Sequence, residues 1–324
     1  MQRVEISHKT IIFTIGLLLS LWLVVRIIDI LLLIFIAFIL MAGLRPLVDK
    51  LEYFKIPRGL AILLVYTGVV GGLGLVIGLF LPPILTETVK LTTQLFSSIN
   101  QLFPFVQLRY QDVLPQIGLI SQNIAKVTYG IFSNAITLFM LFVFTFYLLL
   151  ERKNLSQFLH HFVGQRMGLR IKQTIVTIED RIGNWIRGQL VLMLVIGVAT
   201  YIGLILLRIP YALPLAVIAG LLEVVPNVGP TISAVPSVIV ALTYSTNPFL
   251  AVAVAALYFI IQQLENTVVV PMVMQRVVGL PPLITIVALL VGGRLAGLAG
   301  ILFAVPFILI AQTVIQDFWL RNKN

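Results

Sequence analysis

Long apolar blocks decide what this chain can fold into. Gly59 to Leu81 and Gly188 to Leu207 contain no charged side chain. Each is as long as the ~20 residues a helix needs to cross about 30 Å of hydrocarbon. Further blocks run from Thr10 to Val25, Ile30 to Leu44, Val127 to Leu150 and Phe249 to Val270. Of the 324 residues, 60% are hydrophobic and 10% charged, against about 25% charged in a soluble domain. The chain is therefore an all-α polytopic membrane protein with six full spans. Its partner is the lipid bilayer.

The net charge of +10 would suggest nucleic acid in a soluble protein. Here the basic residues sit in loops and tails, where they set topology, and no basic patch is interleaved with aromatics. The longest polar stretch, Glu151 to Arg187, carries Arg152, Lys153, Arg166, Arg170, Lys172, Arg181 and Arg187 against Glu151, Glu179 and Asp180. By the positive-inside rule it is cytoplasmic. Counting back through the spans places the polar loop Arg45–Arg58 and the N-terminus inside too. Met1 to Lys9 and the block after it lack a small-residue cleavage site, so they form a retained first span. Pro82 to Lys126 is amphipathic and broken at Pro104 and Pro115, and it lies on the outer side, in the interface or against another subunit. Gly68/Gly72 and Gly74/Gly78 have the spacing of close helix packing.

Cysteine is absent, which removes disulfides and thiolate metal sites. His160 and His161 are adjacent and diverge on a helix, so they are surface residues and no metal site is expected. No HExxH helix, GxSxG elbow or GxxxxGK loop is present. Neither an enzyme nor a cofactor is expected.

After Leu207 the pattern shifts. Tyr211–Val225 and Thr231–Tyr244 are too short to cross and are separated by Pro226-Asn227-Val228-Gly229-Pro230. Proline removes backbone donors and glycine permits unusual dihedrals, so this stretch suits a turn at membrane depth. Seventy residues on, Gly292 to Pro306 aligns with Leu222 to Pro236 without a gap, Ala304-Val305-Pro306 falling on Ala234-Val235-Pro236. Gly292-Gly293-Arg294 again separates two short apolar arms, Pro282–Val291 and Leu295–Ile310. Each repeat then reads as one span followed by one re-entrant hairpin, the alternatives being two short spans for the first pair of arms and one long kinked span for the second. The first span runs outward and the second inward. Inverted repeats with interrupted helices at matching places point to the substrate site of a secondary transporter.

Glu223, Glu265 and Arg294 fall inside this unit. Each costs about 2.5–3.5 kcal/mol at a helix centre. Gln262, Glu265 and Asn266 are spaced i, i+3, i+4 and share one helix face. Glu223 and Arg294 lie one position apart in equivalent elements, so one hairpin's acid could approach the other's guanidinium. The candidate substrate or ion site is therefore Glu223, Asn227, Gln262, Glu265, Asn266 and Arg294, with Pro226, Gly229, Pro230, Gly292 and Gly293 as tip or hinge residues.

Pro226-Asn227-Val228-Gly229-Pro230, Leu264-Glu265-Asn266 with Pro271, and the glycine-rich run from Gly292 to Pro306 resemble the AI-2E (autoinducer-2 exporter-like) family of bacterial membrane proteins. Asn227 stands where many members carry an aromatic. The resemblance implies a secondary transporter of a bacterial inner membrane, homo-oligomeric (pentameric where known), with elevator-like movement. It implies export of a small solute such as autoinducer-2, or extrusion of sodium or lithium in exchange for protons. A non-transporting scaffold or channel-like oligomer is the third reading. The chain divides into N-terminal spans (1–82), an outer amphipathic region (83–126), a span with the basic region (127–187), a repeat-built transport unit (188–315) and a tail (316–324).

Overall fold

The computed structural model describes residues 8–102, 135–154, 161, 163–225, 229–244, 247–274 and 281–317, which form helices, joined by turns, and no strand. The helices are α1 (His8–Arg26), α2 (Ile28–Tyr53), α3 (Arg58–Leu102), α4 (Ala135–Glu151), α5 (Gln165–Leu206), α6 (Ala212–Leu222), α7 (Gly229–Tyr244), α8 (Phe249–Leu264), α9 (Val270–Met274) and α10 (Pro282–Ile315). Four stretches are long and apolar enough to cross a membrane: Ile28–Tyr53, Arg58–Leu91, Gln165–Leu206 and Phe249–Met272. The other two expected spans are α1 and α4, described over 19 and 17 residues.

Three helices outrun the expected spans. The loop expected at Arg45–Arg58 is helical as far as Tyr53 and carries Pro46 inside it. Proline has no N–H to return to the carbonyl of Ala42, one turn back. Gly183 of α5 lies against that carbonyl so closely that a Cβ would run into it. A bare Cα–H can approach the oxygen there as a weak donor. Next to this crossing Arg45 pairs with Glu179 at 3.1 Å and Asp180 at 2.8 Å. Helix α3 continues through Pro82 and Pro83 for 45 residues, about 68 Å at 1.5 Å per residue, so the amphipathic segment begins as an extension of the third span. The breaks expected at Pro104 and Pro115 lie outside the described residues. The basic stretch before Gly188 is the first half of α5, a helix of 42 residues.

Helix α5 is the pillar for both hairpins. Helix α6 descends along it: Gly220 sits against Met193 and Gly197, and Gln189 donates to the carbonyl of Glu223. Helix α7 returns, and α8 packs beside it. Ile196, Leu204, Leu215, Ala219, Val240, Val254 and Ile261 form one buried cluster, joined by Leu91 of α3. With 11 residues, α6 is about 16 Å long, half the hydrocarbon thickness. It is the descending arm of a re-entrant hairpin.

Helix α10 is a second hairpin. The chain turns back at Ala296 and Gly297, where Gly297 has φ 58°, a left-handed value that glycine adopts freely. Gly292 and Gly300 touch across the turn, although eight residues of straight helix would hold them about 12 Å apart. The returning arm lies antiparallel to α5, with Trp185 against Leu309, Arg181 on Thr313 at 3.1 Å and Arg170 on the Asp317 carbonyl at 2.7 Å. That register brings Gly297 level with about Gly197. The hairpins thus open towards opposite ends of α5, and both tips reach into its apolar block. The first arm ends at Leu222 and the next begins at Gly229; seventy residues on, 292 and 299 bracket the second turn.

The glycine pairs of α3 behave differently from the packing expected of them. Among the described residues nothing lies within 4 Å of a Cβ on Gly68, Gly72, Gly74 or Gly78. Gly183→Ala should therefore lower stability by about 1–3 kcal/mol, as overpacking does. Gly68→Ala should be neutral or gain up to about 1 kcal/mol from helix propensity. Thermal unfolding in detergent micelles compares the two, and equal effects would contradict the crossing described above.

Candidate functional site

Two carboxylates end the buried faces of two neighbouring helices. On α6 the buried stripe is Ala212, Leu215, Ala216 and Ala219, and Glu223 follows one turn later. On α8 the stripe is Val254, Tyr258 and Ile261, and Glu265 follows one turn later. Ala219 and Ile261 belong to the same cluster, so both acids extend it in the same helical register. Glu223 and Glu265 are each 0% exposed.

The first turn of α7 touches both acid-bearing helices. Gly229 is buried there, and a Cβ on it would stand 2.5 Å from Glu223 Oε2 and 2.7 Å from the Ala219 carbonyl. Only glycine lets the carboxyl approach this close. The positive end of the α7 dipole favours an anion at that place. On the other side Thr231 donates to Gln262 Oε1 at 2.9 Å. Further along α7 a buried polar ladder follows: Ser233 donates to the Gly229 carbonyl at 2.6 Å, and Ser237 shares a 2.7 Å hydrogen bond with Tyr258.

The backbone widens at Glu265. Residues Glu265–Val269 form a π-turn, in which the Val270 N–H reaches back five residues to the Glu265 carbonyl. Pro271 contributes by offering no N–H to the carbonyl of Thr267. Such turns recur at functional sites. The three residues expected to share one face, Gln262, Glu265 and Asn266, differ in exposure. Glu265 is buried, Gln262 is half-buried on Thr231, and Asn266 is exposed.

The second hairpin does not deliver its arginine to Glu223. Arg294 is exposed beside the tip and forms no ion pair with any described residue. The two hairpins are held by different residues of α5, and no described contact joins the second tip to the first. The pillar holds the first hairpin through Gln189, Met193 and Gly197, and the second through Arg181 and Trp185. Gly292 and Gly293 are packing residues, against Gly300 and Ile301. Pro230 is buried in the first turn of α7. Pro226 and Asn227 lie outside the described residues.

Sequence reading missed Gln189, Ser233, Ser237 and Tyr258. The spacing 258, 261, 265 would have put Tyr258 on the Glu265 face. Nothing local marks Gln189, whose partner is 34 residues away. It also missed the role of Glu179, which is 2% exposed and accepts from Arg45 and Arg152. That pair of contacts ties α2, the turn after α4 and α5 together at the basic end.

Gly229→Ala should displace the Glu223 carboxyl and lower the unfolding midpoint. Gly293→Ala should be tolerated, because its Cβ would meet only the Ile301 side chain at 3.1 Å. Thermal unfolding of the two purified variants checks this, and a larger loss in Gly293→Ala would contradict it.

Known proteins match the chain over most of its length. The model of the AI-2E family transporter matches residues 11–319. YrrI of Bacillus subtilis (strain 168), provisionally named a transport protein, is 27% identical over 323 residues, covering 94% of this chain and 90% of that protein. YueF of the same organism, named likewise, is 31% identical over 316 residues, covering 88% and 82%. PerM of Escherichia coli (strain K12), provisionally named a permease, is 28% identical over 187 residues, covering 58% of this chain and 53% of that protein. A family match from residue 11 to residue 319 takes in both hairpins and both buried carboxylates, and the chain belongs to the AI-2E transporter family.

Proposed function

We propose that the protein is a secondary transporter in which Glu223 and Glu265 alternate between a protonated and a cation-bound state. One observation carries this reading. Two fully buried carboxylates extend one apolar cluster where short helices are interrupted, Glu223 against Gly229 in the first turn of α7 and Glu265 one turn beyond Ile261. An ionised carboxylate buried there is expensive, and such residues mark ion pathways and proton relays. A proton or a monovalent cation neutralises it. The helix end and the widened turn at Glu265 also free backbone carbonyls, the groups that coordinate cations in interrupted transporter helices. Export of a signal such as autoinducer-2 rests on the family resemblance alone. The buried acids favour ion exchange as the central activity. By the positive-inside rule the end carrying Arg166, Arg170 and Lys172 faces the cytoplasm.

Reconstituted liposomes test this. Adding sodium outside vesicles loaded with a pH-sensitive dye should drive proton flux in the wild-type protein. Glu265→Gln and Glu223→Gln should each reduce it to the level of protein-free vesicles. Wild-type flux in both variants would refute the proposal. Sodium-independent efflux of a labelled polyol, unchanged in the variants, would favour the exporter reading instead.

A further inference from the structure

We infer that Gln189 is the hydrogen-bond acceptor for the acid proton of Glu223, so that this amide, on the pillar helix, holds the carboxyl in its neutral form. This rests on the reading that Glu223 takes up a proton. Gln189 is 4% exposed. Its Nε2 donates to the backbone carbonyl of Glu223. A carbonyl accepts only, which fixes the orientation of the amide: nitrogen towards Glu223, oxygen away from that bond. Gln189 Oε1 is buried and accepts no hydrogen bond from any described residue. A buried acceptor left in that condition is costly, because its lost hydration is not repaid. A helix in lipid-facing protein gains nothing from carrying it unless a donor arrives in another state.

The donor that arrives is the proton. An ionised carboxylate only accepts, but protonation creates one new O–H, which needs an acceptor. Oε1 belongs to the amide already tethered to the main chain of Glu223, and we take this tether to bring it to that residue's side chain. The carboxyl stands beside Gly229, its Oε2 taking the space that a Cβ there would need. The step is a simple uptake: a proton from water bonds to a Glu223 oxygen, and Gln189 Oε1 accepts the resulting O–H.

Few other charges compete there. On α5 no charged residue lies between Arg187 and Arg208, and its one titratable group in that interval, Tyr201, is exposed. Helix α7 has only Tyr244, at its far end. Helix α8 and its π-turn bring Tyr258 and Glu265. Helix α3 brings Glu87 and Lys90, which flank Leu91 at the other end of the cluster. Gln189 is thus a positioning residue for Glu223, whereas a merely structural tether would need only its Nε2.

Infrared difference spectra of the full-length protein in liposomes, between acid and alkaline buffer, separate these roles. The Glu223 carboxylic-acid C=O band is the one that Glu223→Gln removes. In Gln189→Met that band should move to higher frequency, because the acid loses its acceptor in a dry site. Gln189→Asn keeps the amide and should leave the band nearer its wild-type place. An unmoved band in Gln189→Met would overturn the inference, as would a downward shift with broadening, which reports water entering a loosened tip. If Glu223→Gln removes no such band, Glu223 does not titrate, and the proton-carrying role proposed above fails with it.

Discussion

A broken helix inside a bilayer survives only when protein covers its free backbone groups. Everything in the transport half of this molecule follows from meeting that requirement twice. Helix α5 meets it for α6 through the amide of Gln189, which takes the Glu223 carbonyl at the end of the short arm. Helices α7, α8 and α3 close the rest of that hairpin around Leu215, Ala219, Val240 and Ile261. The second hairpin meets it by tightness, with Gly292 against Gly300 and the returning arm bonded to Arg181 and Arg170. Both acids stand where helical backbone ends or widens, so the ionisable groups and the irregular backbone coincide.

The two ends of α5 are held by different physics. At the basic end the ties are charged: Glu179 is shared by Arg45 and Arg152, and Arg58 reaches Asp49, Glu52 and the Leu149 carbonyl. Removing one partner of a buried carboxylate such as Glu179 leaves an uncompensated charge, which is strongly destabilising. Along the apolar half the ties are close approaches of small residues, Gly197 to Gly220 and Gly203 to Leu257. These contacts are nondirectional and slide at smaller energetic loss than ion pairs. The charged end is therefore a fixed frame, and the small-residue contacts beside the carboxylates are the part suited to movement.

Much of this was legible in the residues themselves. The apolar blocks marked the spans, and the seventy-residue repeat marked two hairpins of opposite sense. Pro226 to Pro230 marked where the first would turn. Polar character misled at helix ends. Arg45 to Tyr53 looks like a loop, but its charges pair with α5 and its proline is absorbed by Gly183. Spacing misled at Asn266: it stands about 100° round the helix from its neighbour Glu265, and the buried face is narrow enough to take one and leave the other exposed. Aligning Glu223 with Arg294 located equivalent positions, but equivalence across a repeat does not imply contact when both units pack on separate parts of one pillar. Gln189 was invisible because its significance depends wholly on a partner brought to it by the fold.

The central claim is that both hairpins enter the membrane and leave on the side they came from, carrying Glu223 to mid-depth. The chain has no cysteine, so single cysteines placed along 211–247 and 281–317 give clean labelling by a membrane-impermeant thiol reagent in sealed, oriented vesicles. The fold predicts that Tyr211 and Asn247 label from one side, Pro281 and Asp317 from the other, and that the positions next to each tip resist the reagent from both. Labelling of Val224 from the side opposite Asn247, by the same bulky reagent, would make these segments ordinary spans and contradict the account.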